Sequence, residues 1–247
     1  IPLVHELLEA LGIRYFEVGG YEADDVIGTL ARSACHAELV SASGSKTHEV
    51  SKEIPKQVRD DITQEVTIVT GDRDMLQLIN EKVKVVVPVK GLAITKTYDE
   101  KTVIAEFGVK PSQWVDIKAL KGDSSDNYPG VRGIGPKTAE KLISQFETLE
   151  NVYKNLEKID KKTAAKLAEG VEMAGLSQKL ARILTDVPLQ FDLNLADVNK
   201  INWQKGIEYM RSVLGFRSIA DKIEKKYLKS AEPHSAEASR GEQLGLV

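Results

Sequence analysis

Three runs of carboxylates have the residue types and spacing that chemistry needs. Glu22, Asp24 and Asp25 follow Gly19-Gly20-Tyr21, Asp72 and Asp74 flank Arg73 just after Thr70-Gly71, and Asp123 and Asp126 lie in Gly122-Asp123-Ser124-Ser125-Asp126-Asn127. Acids at a helix start are favoured by the dipole and cap free amides, so each run taken alone reads equally well as a set of capping residues. Gathered at one edge, however, these seven carboxylates repel and raise one another's pKa. Hard divalent cations relieve that repulsion: Mg²⁺ or Mn²⁺ takes oxygen ligands, keeps several waters and bridges to phosphate. Two such ions about 3.5 to 4 Å apart can clamp the attacking and leaving oxygens of a phosphodiester. The chain has one cysteine, Cys35, which forms neither an internal disulfide nor a thiolate cluster, so an oxygen-held metal is expected. His36 and His48 have no partners at metal-ligand spacing and read as solvated loop residues.

A fourth motif is Gly130-Val131-Arg132-Gly133-Ile134-Gly135-Pro136-Lys137-Thr138-Ala139-Glu140-Lys141. Gly133 and Gly135 allow a sharp turn and a close backbone approach, and Pro136 suits the first position of a helix. The free amides of that helix, with Lys137 and Lys141 beside them, form a phosphate cradle. Its form is that of a helix-hairpin-helix, which grips nucleic-acid backbone without reading bases; a glycine-rich connector between packed helices is the plainer alternative.

The elements that must carry these motifs follow from periodicity. Leu3, Val4, Leu7, Leu8 and Leu11 predict a helix stopped at Gly12, and a second helix is expected over about Tyr21 to Cys35. Val66 to Thr70 and Val83 to Val87 read as buried parallel strands with a helix at Met75 to Asn80 between them, which points to a three-layer α/β domain. The acidic run at Asp72 then falls at the carboxyl edge of a strand, where open α/β sheets bind ligands. From Lys101 the pattern is helical: Thr102–Phe107, Pro111–Leu120, Pro136–Phe146, Leu149–Asn155, Lys161–Ala174, Leu176–Thr185 and Trp203–Leu214. Trp203 and Tyr209 sit at core spacing. Residues 36–63 read as an exposed inserted loop and 230–247 as a flexible tail or linker. The expected division is therefore 1–100, 101–229 and 230–247.

Charge divides the chain at a different place. Residues 1–150 carry 18 basic and 24 acidic side chains, and 151–229 carry 15 and 10, so a net −6 segment precedes a net +5 one. That asymmetry suits a cation-holding site beside a polyanion-holding surface. No apolar run approaches the roughly 20 residues of a bilayer span and the start lacks the pattern of a signal peptide, so a soluble, cytoplasmic chain with no membrane partner is expected.

The order and spacing of Tyr21-Glu22-Ala23-Asp24-Asp25, Thr70-Gly71-Asp72-Arg73-Asp74, Gly122 to Asn127 and Gly133-Ile134-Gly135-Pro136-Lys137-Thr138-Ala139 closely resemble the 5'-3' exonuclease domain of bacterial DNA polymerase I, within the flap endonuclease superfamily. The likeness extends to Trp114-Val115-Asp116 with Lys118-Ala119-Leu120, and to Leu176–Leu180 with Thr185-Asp186-Val187-Pro188. The resemblance implies a PIN-like α/β nuclease domain followed by a helical, helix-hairpin-helix DNA-binding domain. It implies two Mg²⁺ or Mn²⁺ ions, Glu22, Asp24 and Asp25 at the first and Asp72, Asp74, Asp123 and Asp126 around the second, with Asp72 and Asp123 central to catalysis. Gly133, Ile134, Gly135, Lys137, Thr138 and Lys141 would hold duplex backbone, with K⁺ at the hairpin. The implied activity is metal-dependent 5'-3' exonuclease or 5' flap endonuclease cleavage of DNA at flaps, nicks, branches or RNA-primed ends. A monomer near the bacterial nucleoid, covalently linked to a polymerase domain, is the implied setting.

Two departures shape the expectation. The family opens with strands bearing further metal-ligating aspartates and a basic helical arch, none of which precedes Ile1, so the chain reads as starting late and as short of ligands. The insertion at 36–63 reads as a passenger peptide encoded by a repetitive DNA element, tolerated because loop-closure entropy grows only logarithmically with length. A catalytically incomplete DNA-binding module is accordingly the alternative in a different class, and a PIN-domain ribonuclease ranks below both, since it gives no reason for the hairpin.

Overall fold

In the computed structural model the described residues are 1–36, 65–91 and 93–228. The inserted loop beyond His36, with His48, and the tail at 230–247 lie outside them. The chain forms two compact units, one of residues 18–189 and one that joins 1–17 to the segment from 190. The boundary expected at 100/101 thus falls inside the larger unit.

The smaller unit is helical. Helix α1 (Pro2–Leu11) ends on Gly12, whose φ of 72° is the left-handed cap conformation that glycine adopts freely. Helices α9 (Trp203–Ser212) and α10 (Arg217–Tyr227) close a core of Ile207, Met210 and Ala220, with Leu7 and Trp203 against it. Trp203 packs against the core and stacks on Tyr227 with centroids 4.2 Å apart, whereas Tyr209, outside that core, donates a hydrogen bond to Glu6 at 2.5 Å.

The larger unit opens with α2 (Ala23–His36) and a mixed sheet in the order β1-β2-β3. β1 (Val66–Val69) runs parallel to β2 (Val83–Lys90), with Val66 opposite Val83. β3 (Ile94–Tyr98) returns antiparallel, with Val85 opposite Tyr98. The alternation in β2 buries Val83, Val85 and Val87 together with Met75, Leu76, Val103 and Trp114 in a first core. The helix expected at Met75–Asn80 is a 3₁₀ segment, Arg73–Leu78, one residue pair earlier, because Asp72 caps it. β3 carries too little buried surface to show in the sequence: only Tyr98 is fully covered.

Helices α3 (Glu100–Phe107), α4 (Trp114–Lys121), α5 (Pro136–Phe146), α6 (Leu149–Lys154), α7 (Lys161–Glu169) and α8 (Val171–Ala181) follow. They enclose a second core of Leu120, Val131, Ile134, Ala139, Leu142, Ile143, Val152 and Leu167. The helix pair expected to divide near Gly175 divides instead at Gly170. Gly170 lies where a Cβ would stand 2.7 Å from Val131 Cγ1, whereas Gly175, within α8, has open space around its Cα.

Candidate functional site

The three acidic runs are placed by three different local devices, all within the larger unit. At the start of α2, Asp25 accepts from the Glu22 amide at 3.2 Å and from the Leu184 amide at 2.8 Å. This ties the helix start to the segment after α8, reinforced by Thr29, which accepts from the Val187 amide at 3.1 Å. A Cβ on Gly28 would lie 2.8 Å from Ile183 Cγ2, so only glycine allows this approach without a shift. After β1, the Asp72 amide donates to Thr70 Oγ1 and Asp72 Oδ1 accepts from the Asp74 amide at 2.8 Å. That turn drives the Asp74 side chain inward, where it is buried.

The loop after α4 is built for precision. Asp123 and Tyr128 exchange backbone hydrogen bonds of 2.9 and 3.1 Å, and Asp123 Oδ1 accepts from the Ser125 amide at 2.8 Å. Gly122 and Gly130 close its base so tightly that a Cβ on Gly130 would sit 2.2 Å from the Gly122 nitrogen. The Gly130 amide donates to the fully buried Ser177 hydroxyl on α8 at 3.0 Å. The turn presents Asp126 outward and Asp123 inward.

These devices converge. Glu22, Asp24, Asp25, Asp72, Asp74 and Asp126 line one cleft of about 490 Å³, which Lys179 and Arg182 also line. Carboxylate oxygens of Asp74, Asp123 and Asp126 lie within 4.8 Å of one another, which brings Asp123 into the same group. At the centre of that group is Lys118, only 6% exposed. Its Nζ pairs with both Asp74 and Asp123 and lies 3.8 Å from Asp126.

The electrostatics record the crowding. Burial, with Asp72, Asp74, Glu22 and Asp25 around it, pushes the Asp24 carboxyl up to about 6. Burial also raises Asp74, against the pull of Lys118. For Asp123 burial acts in the same upward sense, but the Lys118 ammonium and the Ser125 amide outweigh it and hold the carboxyl below its usual range. Lys118 itself is raised: its desolvation is more than offset by Asp123 and Asp74. One ammonium therefore neutralises part of the cluster and leaves Asp24 facing uncompensated charge.

The donor set fits a hard divalent cation. Every converging ligand atom is a carboxylate oxygen, three of them already surround a cation in the form of the Lys118 ammonium, and the remaining excess of negative charge is what such an ion relieves. Asp25 stands somewhat apart, since both its oxygens accept backbone amides.

The glycine-rich motif forms a separate surface. α4 and α5 pack around the turn at 131–135, with Val131, Ile134 and Ala139 buried and Gly133, Gly135, Lys137 and Lys141 exposed. Gly133 has a φ of 79°. Pro136 begins α5 as expected, Gly135 supplies no side-chain cap, and the Thr138 and Ala139 amides both donate to the Gly135 carbonyl at 3.0 Å. Ile134 is an anchor in the core rather than a ligand-facing residue. The Gly133 carbonyl accepts from Lys166 Nζ at 2.9 Å.

Lys118, Ser177, Lys179 and Arg182 are not marked as site residues by their sequence. For Lys118 a signal exists: with Trp114 and Ile117 at spacings of four and one it falls on the buried stripe of α4, where an unpaired lysine does not belong. Ser177 and Lys179 fall in the Leu176–Leu180 run that resembles the family, but for them and for Arg182 nothing local gives the role, which depends on how the segment packs.

Comparison with known proteins bears on this arrangement. Residues 1–46 match the model of a 5'-3' exonuclease N-terminal resolvase-like domain, and residues 109–204 match that of a 5'-3' exonuclease C-terminal SAM fold. The 5'-3' exonuclease of Bacillus subtilis is 40% identical over 227 residues, covering 88% of this chain and 68% of that protein. DNA polymerase I of Lactococcus lactis subsp. cremoris is 39% identical over 223 residues, covering 87% of this chain but only 23% of the polymerase. Among solved structures, the bacteriophage T5 flap endonuclease in a pseudo-enzyme-product complex with DNA and metal ions aligns with a TM-score of 0.51 at 20% identity, over 88% of this chain and 62% of that one. At that identity the likeness speaks for a shared fold. The chain spans about a quarter of the polymerase relative and about two thirds of the Bacillus exonuclease. With an exonuclease relative matched along most of its length, the chain belongs to the 5'-3' exonuclease family.

Proposed function

We propose that the chain is the metal-dependent nuclease part of a 5'-3' exonuclease or 5' flap endonuclease, acting on DNA phosphodiesters at flaps, nicks, branches and RNA-primed ends. The observation that carries this reading is the convergence of acids from α2, the turn after β1 and the loop after α4 on one cleft beside an exposed hairpin. In this reading Asp74, Asp123 and Asp126, with Asp72, hold one Mg²⁺ or Mn²⁺, and Glu22, Asp24 and Asp25 serve a second, directly or through water. Bound there, the ions supply Lewis-acid stabilisation of the phosphoryl oxygens.

The chain's own residues do the rest. Asp72 and Asp123 are the central carboxylates, each fixed by a backbone amide so that little reorganisation is needed. Lys179 and Arg182, which line the same cleft, would meet the anionic backbone entering it. Gly133, Gly135, Lys137, Thr138 and Lys141 hold duplex backbone without reading sequence, and Ile134 fixes the hairpin from within. K⁺ at the hairpin would meet the Gly133 carbonyl, which here accepts from Lys166, so the lysine and the ion would share one acceptor.

The division proposed is a nuclease domain at 1–100 and a helical, hairpin-bearing domain at 101–229, with Asp123 and Asp126 of the second joining the acids of the first at the metal site. A monomer joined to a polymerase, in the bacterial cytoplasm near the nucleoid, is the proposed setting. No helix among the described residues is long and apolar enough to cross a membrane.

The test is substitution of Asp72 and Asp123 by Asn in the product of the complete reading frame. Cleavage of a 5'-labelled flap DNA should fall by at least about a hundredfold for either, with junction affinity held within a few fold. Equal loss of binding and cleavage would refute the assigned roles. Junction binding with no cleavage by the unsubstituted protein would favour the DNA-binding alternative.

A further inference from the structure

We propose that Lys118 is an internal counter-ion with two positions: it holds the metal-free site together by pairing with Asp74 and Asp123, and it withdraws toward Glu140 when a divalent cation takes those oxygens. This deepens the metal-site reading above and rests on it. The oxygens of Asp74, Asp123 and Asp126 that lie within 4.8 Å of one another are on the residues that Lys118 Nζ approaches. An ammonium and a divalent ion compete for that space, because the two cations repel at such range.

The lysine also has somewhere to go. A cavity of about 220 Å³ adjoins it, lined by Phe107, Trp114 and Ile117, by the acids Asp123 and Glu140, and by the cations Arg73 and Lys121. The Trp114 indole nitrogen, buried with no hydrogen-bond partner, belongs to a residue on the same wall, so this space is not closed by polar contacts of its own. A four-carbon side chain rooted on α4 can swing its ammonium from the acidic cluster into that cavity by rotamer change, without any movement of α4. The metal replaces the ammonium among the aspartates, and in the cavity Glu140 is the carboxylate that offsets the ammonium against Arg73 and Lys121.

Mn²⁺ alone is the probe, followed by calorimetry and by thermal unfolding with and without EDTA. Lys118→Met keeps the length of the side chain and removes its charge. It should lower the unfolding temperature in EDTA by several degrees, have most of that loss restored by saturating Mn²⁺, and tighten Mn²⁺ binding by about tenfold, the effect of an ion pair that no longer has to be broken. Glu140→Gln leaves the metal-free pairing intact but removes the receiving charge. It should weaken Mn²⁺ binding by about fivefold with an unchanged unfolding temperature in EDTA, and it decides the question even if the methionine variant does not fold. Mn²⁺ binding by the unsubstituted chain that neither variant alters overturns the exchange while sparing the metal site. Failure of both the unsubstituted chain and Lys118→Met to bind Mn²⁺ overturns the metal site and the exchange together.

Discussion

Asp24→Asn tests the charge state of the cleft with the least disturbance, because it removes one negative charge and keeps shape. Asp24 has a carboxyl raised from 3.8 to about 6, by burial first and then by Asp72, Asp74, Glu22 and Asp25. A group whose folded pKa exceeds its unfolded value binds more protons when folded. Its stabilising contribution is full below about pH 3.8 and is lost as pH rises through about 6. Two pKa units correspond to about 3 kcal/mol at 1.36 kcal/mol each. Asp24 is only half-buried, so solvent screening reduces the usable figure to about 1 kcal/mol. In EDTA at about pH 7.5 the Asn variant should therefore unfold about 2 to 4 °C above the unsubstituted chain. That gap should close as the pH falls below about 4, where Asp24 is protonated anyway. Saturating Mg²⁺ should reverse the order, since the variant lacks a ligand. Thermal unfolding across this pH range reads all three. An Asn variant no more stable than the unsubstituted chain in EDTA at pH about 7.5 would refute the view that the metal-free cleft is strained by its own charge.

Other outcomes follow from the same geometry. Gly130→Ala places a Cβ 2.2 Å from the Gly122 nitrogen at a φ of 59°, so it should destabilise the fold by about 3 kcal/mol and abolish Mn²⁺ binding through the displaced Asp123 and Asp126, as urea unfolding and calorimetry would show. Ser177→Ala leaves the Gly130 amide buried without its acceptor and should cost about 1 to 3 kcal/mol in the same unfolding experiment. Lys137→Ala should weaken duplex binding equally across sequences and lower the slope of log K against log salt by about one, measured by salt titration of affinity.

Much of this site is legible in the amino-acid sequence because acids clustered at strand ends and helix starts have few cheap fates. Asp72-Arg73-Asp74 follows a β-branched strand, and Asp123 to Asp126 sits in a Gly-Asp-Ser-Ser-Asp-Asn turn; both patterns are local and survive folding unchanged. The hairpin is equally plain, since Gly133, Gly135 and Pro136 specify a turn and a helix start within four residues. What the sequence hides depends on contacts between distant segments. Lys118 is read by periodicity as a misplaced charge, and only the fold supplies Asp74, 44 positions away, and Asp123 as its partners. At the helix break, a Cβ on Gly170 would stand 2.7 Å from Val131 Cγ1, a contact with a residue 39 positions earlier that no local rule reports. Strand β3 leaves little trace in the sequence because Ile94 to Thr97 are largely exposed and its alternation has a single buried end in Tyr98. The division at 18–189 is likewise non-local, since α1 meets α9 only through the fold.

The most direct measurement of the central claim is cleavage of a 5'-labelled flap DNA by the product of the complete reading frame, with Mg²⁺ and with EDTA. The account predicts cutting at the flap junction with Mg²⁺, none in EDTA, and recovery on adding Mn²⁺. Cleavage that persists unchanged in EDTA, or junction binding with no cleavage under any metal, would contradict it.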